Sequence, residues 1–412
     1  MNRFSVFAVV FICGFAGLPA WAQGAEPAEA EPFAFEAAAE LEGFTPQGRP
    51  AVVEGQGLVV PGFLTREGED GIERVAVLWH VESGEVEVID PPVDADGWAM
   101  SSFDLRGVNS QGQVCAVADA SVNGVREGNW IARYFRRAEG DWVRIESAAD
   151  GVVPVEDVVI GFVDISDRGE VVGHRTEHQT HRQLEPFLWS PEEGMRFYTT
   201  PNRWEFMQVN AINAEGVAVG CVVERPVNGR IRFQPVICYA PDDTMVLDSP
   251  EGFRDSRAMA INASGQVLVM AEKYGVQVTH VIHYVGVWDP DEGLTQLSIP
   301  DHHSLSVQGF SDAADVLILG RDLTADPNGA IRHKLGGWPG YLIRDGVLYH
   351  LPAHPGAVDL GTYYTAMSSQ GDIVGYALIP VEGEDDATRT VGFVLSPEIE
   401  LEPVEVEQEE DE

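Results

Sequence analysis

The chain has 412 residues and a formal net charge of −40 at pH 7, and 44% of its residues are hydrophobic. A field of this sign repels nucleic acid and anionic membrane surfaces, so we expect neither as a partner. It attracts divalent cations and cationic partners. Solubility is nevertheless the simpler explanation of an acidic chain whose only lysines are Lys273 and Lys334.

The N-terminus has the three parts of a secretory signal peptide. Arg3 supplies the positive charge, residues 4–18 supply the apolar segment, and Ala20-Trp21-Ala22 forms the small-residue cleavage site. An uncleaved membrane anchor is the rival interpretation, and it is disfavoured because the apolar run is shorter than the ~20 residues that span a bilayer. We therefore expect cleavage after Ala22, a secreted or periplasmic bacterial protein, and no insertion into a membrane.

The segments at the two ends of the mature chain have biased compositions. Residues 23–47 are rich in Ala, Glu and Pro and predict an unstructured spacer, in which only residues 35–41 have a pattern that allows a short helix. Residues 405–412 are mostly acidic and predict a solvated tail.

Between these ends, residues 48–404 repeat one phrase seven times. A small apolar residue is followed by Asn or Ser, two further residues, Gly and an apolar pair, as in Val108-Asn109-Ser110-Gln111-Gly112-Gln113-Val114. Asn tolerates left-handed conformations and Gly takes positive φ freely, so each copy predicts a turn between two strands. The repeat glycine, replaced once by Ala314, falls at positions 57, 112, 169, 216, 265, 314 and 371.

A second phrase follows the first in every copy. It consists of an apolar or aromatic triplet such as Phe187-Leu188-Trp189, a polar turn and a short alternating run, which is typical of a hairpin. One unit is therefore two hairpins, or four strands, and its length of 47 to 57 residues suits four short strands. Radial repetition of four-stranded sheets forms a β-propeller. The sequence thus predicts an all-β protein, a seven-bladed β-propeller of four-stranded antiparallel blades, rather than a β-solenoid, whose rungs are shorter.

Closure of the ring has two possible forms. The first and last units each hold both phrases, so each blade can be assembled from contiguous chain, and this is the form we expect. In the alternative, residues 33–44 add an outer strand to the seventh blade. Their Ala- and Glu-rich composition is a poor one for a strand.

Three cysteines remain after cleavage, and two of them flank a predicted hairpin. If Asn228-Gly229 forms its turn, Cys221 lies opposite Val236, and Cys238 becomes a diagonal neighbour of Cys221 on the same sheet face. A disulfide between Cys221 and Cys238 and two separate buried thiols are equal alternatives. We expect the remaining Cys115 to be buried.

Most catalytic signatures are absent from the sequence. It contains no Gly-x-Ser-x-Gly, no His-Glu-x-x-His, no phosphate-binding Gly loop and no Cys-x-x-Cys. One local cluster has metal-ligating chemistry: His174, His178 and His181 lie within eight residues and provide imidazoles suited to zinc or copper. The alternative is a polar, exposed connection between strands. We therefore predict no cofactor, and a divalent metal at these histidines is the one exception considered.

The predicted fold also separates a constant face from a variable one. The turns inside each phrase are short and alike, whereas the connections between phrases and between units are longer and varied. Because strand direction alternates, these longer connections all lie on the face opposite the short turns. Variable loops on a rigid frame are the usual position of binding residues. Candidate residues for this face are Trp130, Arg175, Trp204, Tyr274, His302, His303, Trp338 and Tyr363.

The paired phrases resemble the HAF-repeat family of bacterial extracellular proteins. The likeness is carried by Ala211-Ile212-Asn213-Ala214-Glu215-Gly216-Val217-Ala218-Val219-Gly220 and by Phe187-Leu188-Trp189, and it spans about residues 48 to 402. The His-Ala-Phe tripeptide itself is missing, and Glu185-Pro186-Phe187 is its nearest equivalent. The resemblance implies an exported, propeller-like protein and transfers no catalytic residue.

The sequence therefore favours an exported propeller that acts as a binding or scaffold module, not an enzyme. Its expected ligand is a protein, a peptide or a glycan, and the expected oligomeric state is a monomer. The alternative is a metal-assisted hydrolase or lyase that acts on an extracellular polymer through the variable face.

Overall fold

The computed structural model describes residues 37, 39–68, 71–91, 99–122, 125–145, 158–177, 184–201, 204, 206–224, 232–274, 281–299, 304–321, 323–325, 331–333, 339–357, 361–381, 388–399, 401, 403 and 404. All of them belong to one compact unit, Ala34–Glu412. The regular structure of the described residues is entirely β, as predicted. In this part of the chain we find no helix with the length and apolar character that crossing a bilayer requires.

The described residues form 31 strands. In the first half of the chain these are β1 (Ala39–Glu42), β2 (Phe44–Pro46), β3 (Ala51–Val53), β4 (Gly57–Gly68), β5 (Gly71–His80), β6 (Glu85–Val88), β7 (Ala99–Val108), β8 (Val114–Val122), β9 (Val125–Arg136), β10 (Trp142–Arg144), β11 (Val158–Ile165), β12 (Val171–Glu177), β13 (Leu184–Ser190) and β14 (Gly194–Phe197). In the second half they are β15 (Phe206–Ile212), β16 (Ala218–Glu224), β17 (Arg232–Ala240), β18 (Asp243–Val246), β19 (Asp255–Ile261), β20 (Val267–Tyr274), β21 (Val281–Asp289), β22 (Gly293–Gln296), β23 (Ser304–Phe310), β24 (Val316–Arg321), β25 (Leu323–Ala325), β26 (Ile331–His333), β27 (Gly340–Arg344), β28 (Val347–His350), β29 (Thr362–Met367), β30 (Ile373–Pro380) and β31 (Thr388–Leu395).

The strands pair antiparallel into small sheets that follow one another along the chain in a propeller-like ring. Their orders are β2-β4-β5-β6 with β3 also on β4, β7-β8-β9-β10, β11-β12-β13-β14, β23-β24-β27-β28 and β29-β30-β31-β1, with β25 and β26 as a separate hairpin. Strands β15 to β22 form a single eight-stranded sheet.

The number of separate blades therefore differs from the sequence prediction. Five sheets of four or five strands stand alone, where seven four-stranded blades were expected. The physical reason is one parallel bridge between Phe233 of β17 and Asp255 of β19, which joins the fourth and fifth repeat units into one sheet.

The repeated Asn has two roles in the turn between the first two strands of a unit. In the second unit, Asn109 Oδ1 accepts hydrogen bonds from the backbone N–H groups of Gln111 and Gln113, which closes the turn. Its Nδ2 donates to the carbonyl of Ser166, 2.7 Å away in the next unit. Asn213 and Asn262 donate in the same way to the carbonyls of Asn262 and Ser311.

Where the repeat has Ser instead of Asn, only the first role remains. Ser166 Oγ accepts from the N–H groups of Arg168 and Glu170 within its own turn. A hydroxyl on a one-carbon side chain is too short to reach the next unit. The Asn side-chain link between units is therefore present at the Asn positions, whereas the turn of Ser311 is linked to the next unit by the backbone, through the Asp312 N–H and Ser369 O.

Hydrophobic packing joins each unit to the next. In the described residues there are seven buried clusters, and each lies between two units that are neighbours in sequence or between the last and the first. The last-to-first cluster packs Phe44, Val60 and Trp79 against Val374 and Val394. These clusters close the ring, because each of the seven units contributes described residues to two of them.

The expected closure by contiguous blades is wrong, and the alternative is correct. Strand β1 pairs antiparallel with β31, in the register Ala39↔Val394 to Glu42↔Val391, and forms the outer strand of the last sheet. Ala39 and Leu41 pack on the last-to-first cluster, whereas Glu40 and Glu42 face outward. This two-residue alternation builds a strand from residues of low β propensity.

Two related predictions change with it. Residues 39–46 hold β1 and β2, so the predicted spacer 23–47 is partly structured, and the helix allowed for residues 35–41 is a strand at its C-terminal end. At the other end of the chain, Pro403 forms a bridge with Tyr349, and the Val404 N–H donates to Leu348 O. The last described residues thus extend the sixth unit rather than the seventh. The signal peptide and the acidic tail lie outside the described residues.

Candidate functional site

The first strand of each unit from the second to the seventh carries a feature that the sequence did not reveal; we call these six the innermost strands, and they are β7, β11, β15, β19, β23 and β29. Each has a β-bulge at the same position, six residues before the repeat glycine or Ala314. The bulged residues are Arg106, Val163, Asn210, Met259, Gln308 and Thr365. A bulge leaves one residue outside the ladder and turns its side chain away from the regular strand direction.

The first unit replaces the bulge with a larger excursion. Strands β2 and β3 both pair with β4, and residues 47–50 leave the sheet between them. Arg49 instead forms a parallel bridge with Gly107, and its N–H donates to Arg106 O, 3.1 Å away. Gly48 has φ +84°, and a Cβ there would lie 2.5 Å from the Arg106 carbonyl, so this approach requires glycine.

The excursion brings Arg49 against the third and fourth units. Its Nη1 donates to Asp164 Oδ2 at 2.7 Å and contacts Ile212 O at 3.3 Å. The same Asp164 oxygen accepts the Ile212 N–H at 3.1 Å, and Oδ1 accepts the Ile165 N–H. Asp164 is buried, so the pair is a fixed part of the interior and not a mobile surface contact.

A cavity of about 280 Å³ lies beside this pair. Every innermost strand or its equivalent contributes to its wall, which places the cavity at the centre of the ring; we call it the axial cavity. Its polar lining residues are Arg49, Arg106, Asp164, Asn210, Gln308 and Thr365. A second, smaller cavity of about 60 Å³ is lined by the repeat turns and also by Arg49, so this residue borders both spaces.

The polar groups of the axial cavity differ in how far they are already satisfied. Asn210 Nδ2 donates to Ala258 O at 2.8 Å, and Gln308 Nε2 donates to Ser306 Oγ at 2.7 Å. Thr365 Oγ1 donates to Val374 O at 3.2 Å. Arg106 makes no hydrogen bond to the described residues; its nearest carboxylate oxygen is Asp104 Oδ2, 3.8 Å from Nη2, and 44% of its side chain is exposed.

His174 is partly buried and hydrogen-bonded to the next unit. Its Nε2 accepts the Val209 N–H at 3.0 Å, which links the third and fourth units. Burial lowers its pKa to about 4, so the ring is neutral at pH 7 and the proton is on Nδ1. His178 and His181 lie outside the described residues, and the three-histidine metal site stays a prediction. Within the described residues, no three His, Cys, Asp or Glu side chains converge in a way that could hold a metal ion.

The predicted variable-face residues are only partly described. His302, His303 and Trp338 lie outside the described residues; for Trp130, Arg175 and Tyr274 only the positions in β9, β12 and β20 are described. Trp204 packs against the cluster between the third and fourth units. Tyr363 stacks on Tyr376 with ring centroids 4.7 Å apart. The structure thus places Trp204 and Tyr363 in different parts of the ring.

The cysteine pairing differs from the prediction by one residue of register. Cys221 lies opposite Pro235, and Ala218 lies opposite Cys238. A shift of one residue moves a side chain to the other sheet face, so the two thiols point away from each other. All three cysteines of the described chain are free and buried, and burial raises the pKa of Cys221 to about 11 and that of Cys115 and Cys238 to about 12.

Comparison with known proteins supports the fold. No protein-family profile matches the chain, and no curated protein sequence matches it significantly. The solved acylaminoacyl peptidase of Pyrococcus horikoshii is similar, with a TM-score of 0.50 at 12% identity over 82% of this chain and 50% of that chain. Dipeptidyl peptidase 4 of Porphyromonas gingivalis (TM-score 0.44, 10% identity) and a puromycin hydrolase (TM-score 0.43, 15% identity) align over 80% and 84% of this chain and over 50% and 53% of their own.

The similarity to the acylaminoacyl peptidase concerns the fold and identifies no particular protein. The chain spans about half the length of these three solved structures. At such low identity the similarity concerns the ring of sheets alone, and the residues of the axial cavity are argued from this structure.

Proposed function

We propose that the protein is an exported β-propeller that acts as a binding or scaffold module and that the axial cavity is its ligand site. The observation that carries the proposal is the repeated bulge at one position of the innermost strands. Bulges are features that re-aim side chains, and here four of the six bulged residues, Arg106, Asn210, Gln308 and Thr365, line one central cavity of about 280 Å³. Their chemistry is polar, which favours a glycan, a peptide or a polar group of a protein as the ligand.

We further propose that the ring has seven blades. In the eight-stranded sheet, a single parallel bridge is the β-pairing between two complete repeat units in the described residues, whereas antiparallel ladders of four or more pairs form each unit. The seven hydrophobic clusters between units support the same count. An experimental structure with five or six separate units around the axis would contradict it.

Export and family membership are proposals of the same kind. The signal-peptide pattern supports cleavage after Ala22 and a secreted or periplasmic location, and the paired phrases support membership of the HAF-repeat proteins. The net charge of −40 supports a monomer without nucleic-acid or membrane partners. N-terminal sequencing of the exported protein tests the cleavage site: a mature chain that begins at Gln23 is expected.

The ligand-site proposal is tested with a variant that fills the axial cavity. Thr365→Trp adds bulk at a bulged position, where the backbone already directs the side chain inward. A thermal-shift screen of glycans and peptides should find at least one ligand that stabilises the wild type but not Thr365→Trp. A ligand that stabilises both proteins equally would place the site elsewhere.

The second candidate function is the hydrolase or lyase. The fold similarity to the acylaminoacyl peptidase favours a test on peptide bonds in addition to extracellular polymers. Incubation of the purified protein with peptide and polysaccharide substrates, with and without a chelator, decides the matter. Turnover that is lost with the chelator and with His174→Ala would support the metal-assisted alternative.

A further inference from the structure

The axial cavity contains one guanidinium group without a hydrogen bond among the described residues. The other arginine of the cavity, Arg49, is committed to Asp164, whereas Arg106 faces only Asp104 at 3.8 Å. Arg106 is itself the bulged residue of β7, and it lines the wall of the axial cavity. Its ion pair with Asp104 is too long for a hydrogen bond, so the N–H donors of this guanidinium are left for a ligand, and a guanidinium beside a cavity is the group that best recognises a carboxylate.

The rest of the wall offers hydrogen-bond acceptors. Because Asn210 and Gln308 each use the side-chain nitrogen for a hydrogen bond within the protein, their carboxamide oxygens are left to accept. Thr365 donates its proton to Val374 O, so its oxygen also accepts. Three acceptors on three different units suit a ligand with several hydroxyl donors.

The charges of the cavity distinguish two carboxylate ligands. A free amino acid carries an ammonium group, which calls for a free carboxylate as partner. The carboxylate that lines the cavity, Asp164, is already neutralised by Arg49 and accepts two backbone N–H groups. A hydroxylated carboxylic acid has no such requirement.

We propose that the axial cavity binds a sugar acid, either free or as the end unit of a polysaccharide, and that Arg106 binds its carboxylate. The hydroxyl groups then donate to Asn210, Gln308 and Thr365. This inference rests on the proposed function, since it names the ligand class of the same cavity.

The test is calorimetric titration of the mature protein with glucuronate, glucose and alanine. Glucuronate should bind, and Arg106→Gln should weaken it roughly ten- to a hundredfold, since a hydrogen bond to a charged group is lost. Arg137→Gln, the same substitution at an exposed turn, is the matched control and should bind as the wild type does. A glucuronate-ended oligosaccharide distinguishes the sources: tighter binding than the monomer indicates a polymer end, and equal binding a free sugar acid.

Three results would overturn the inference. Equal affinity for glucose and glucuronate that is insensitive to Arg106→Gln would leave the axial cavity as a site for neutral sugars, provided that Thr365→Trp abolishes binding. Preference for alanine would assign the cavity to amino acids. Absence of glucuronate binding would reject the sugar acid as ligand. The proposed function is tested separately, by the ligand screen with Thr365→Trp.

Discussion

His354 donates a hydrogen bond from Nε2 to Glu40 Oε1, 3.1 Å away, although 314 positions separate the two residues. The other imidazole nitrogen, Nδ1, accepts the Gly356 N–H at 3.1 Å. The proton of the neutral imidazole must therefore be on Nε2, which makes Nε2 the donor to Glu40. His354 is buried and lies in the connection between the sixth and seventh units. The contact fixes the N-terminal strand β1 against the end of the ring.

We expect β1 to be required for stability, while the chain before it is not. Deleting residues 23–37 should leave the melting temperature nearly unchanged. Deleting residues 23–43 should lower it by more than about 5 °C, because Ala39 and Leu41 leave the last-to-first cluster and β31 becomes an open edge. Melting curves of the two truncated proteins provide the comparison, and equal melting temperatures would show that the strand does not close the ring.

Strand β1 illustrates which parts of the fold the sequence could predict and which it could not. The repeat gave the all-β class, the antiparallel hairpins and the turns, because Asn, Gly and aromatic residues recur at fixed spacing. Residues 39–42 were assigned to a spacer because Ala and Glu have low β propensity. Their partner β31 is more than 340 positions away, and a pairing at that distance leaves no local signal.

The site was harder to predict than the fold. The bulged residues differ in kind from unit to unit, so the repeat pattern does not mark them, and only the structure shows that Arg106, Asn210, Gln308 and Thr365 share one cavity. The sequence instead predicted binding residues in the variable loops, such as Trp204, and this side chain packs against a hydrophobic cluster. The predicted register at Cys221 and Cys238 was wrong by one residue, and an error of one residue reverses the sheet face.

The hydrogen bond that Asn213 makes to the next unit can be tested separately from the hydrogen bonds that it makes within its own turn. Asn213→Ser keeps an oxygen for the turn but loses the Nδ2 hydrogen bond to Asn262 O, and Asn213→Ala loses both. We expect the free energy of unfolding to fall by about 1 kcal/mol for Asn213→Ser and by a further ~1 kcal/mol for Asn213→Ala. Urea unfolding measures both values. If the two variants unfold at the same urea concentration, the oxygen has no role in the turn.

Removing one partner of the Arg49–Asp164 pair should destabilise the protein. Asp164→Ala leaves the guanidinium unpaired and also removes the acceptor of the Ile212 and Ile165 N–H groups. Since about a third of the Arg49 side chain is exposed, water compensates in part, and we expect a loss of about 2 kcal/mol. Arg168→Ala, which breaks an exposed pair with Glu215, is the control and should cost less than about 0.5 kcal/mol. Equal losses in chemical unfolding would contradict a structural role for the buried pair.

The cysteines should be unreactive in the folded protein. Their pKa values of about 11 to 12 mean that almost no thiolate exists at pH 8, and all three side chains are buried. A thiol reagent should therefore modify the native protein slowly and modify three thiols per mature chain after denaturation without reductant. Linked peptides containing Cys221 and Cys238 in the unreduced digest would instead restore the disulfide.

Stability should fall at acidic pH partly because of His174. Its pKa is about 4 in the folded protein and 6.5 as the ordinary value, so between these values the unfolded chain binds a proton that the folded chain does not. The contribution is complete above pH 6.5 and is lost as the pH falls toward 4, with a loss on the order of 2–3 kcal/mol. His174→Gln retains an acceptor for the Val209 N–H and does not titrate. The melting temperature of this variant should decline less than that of the wild type between pH 7 and pH 5, and parallel declines would show that His174 does not carry the effect.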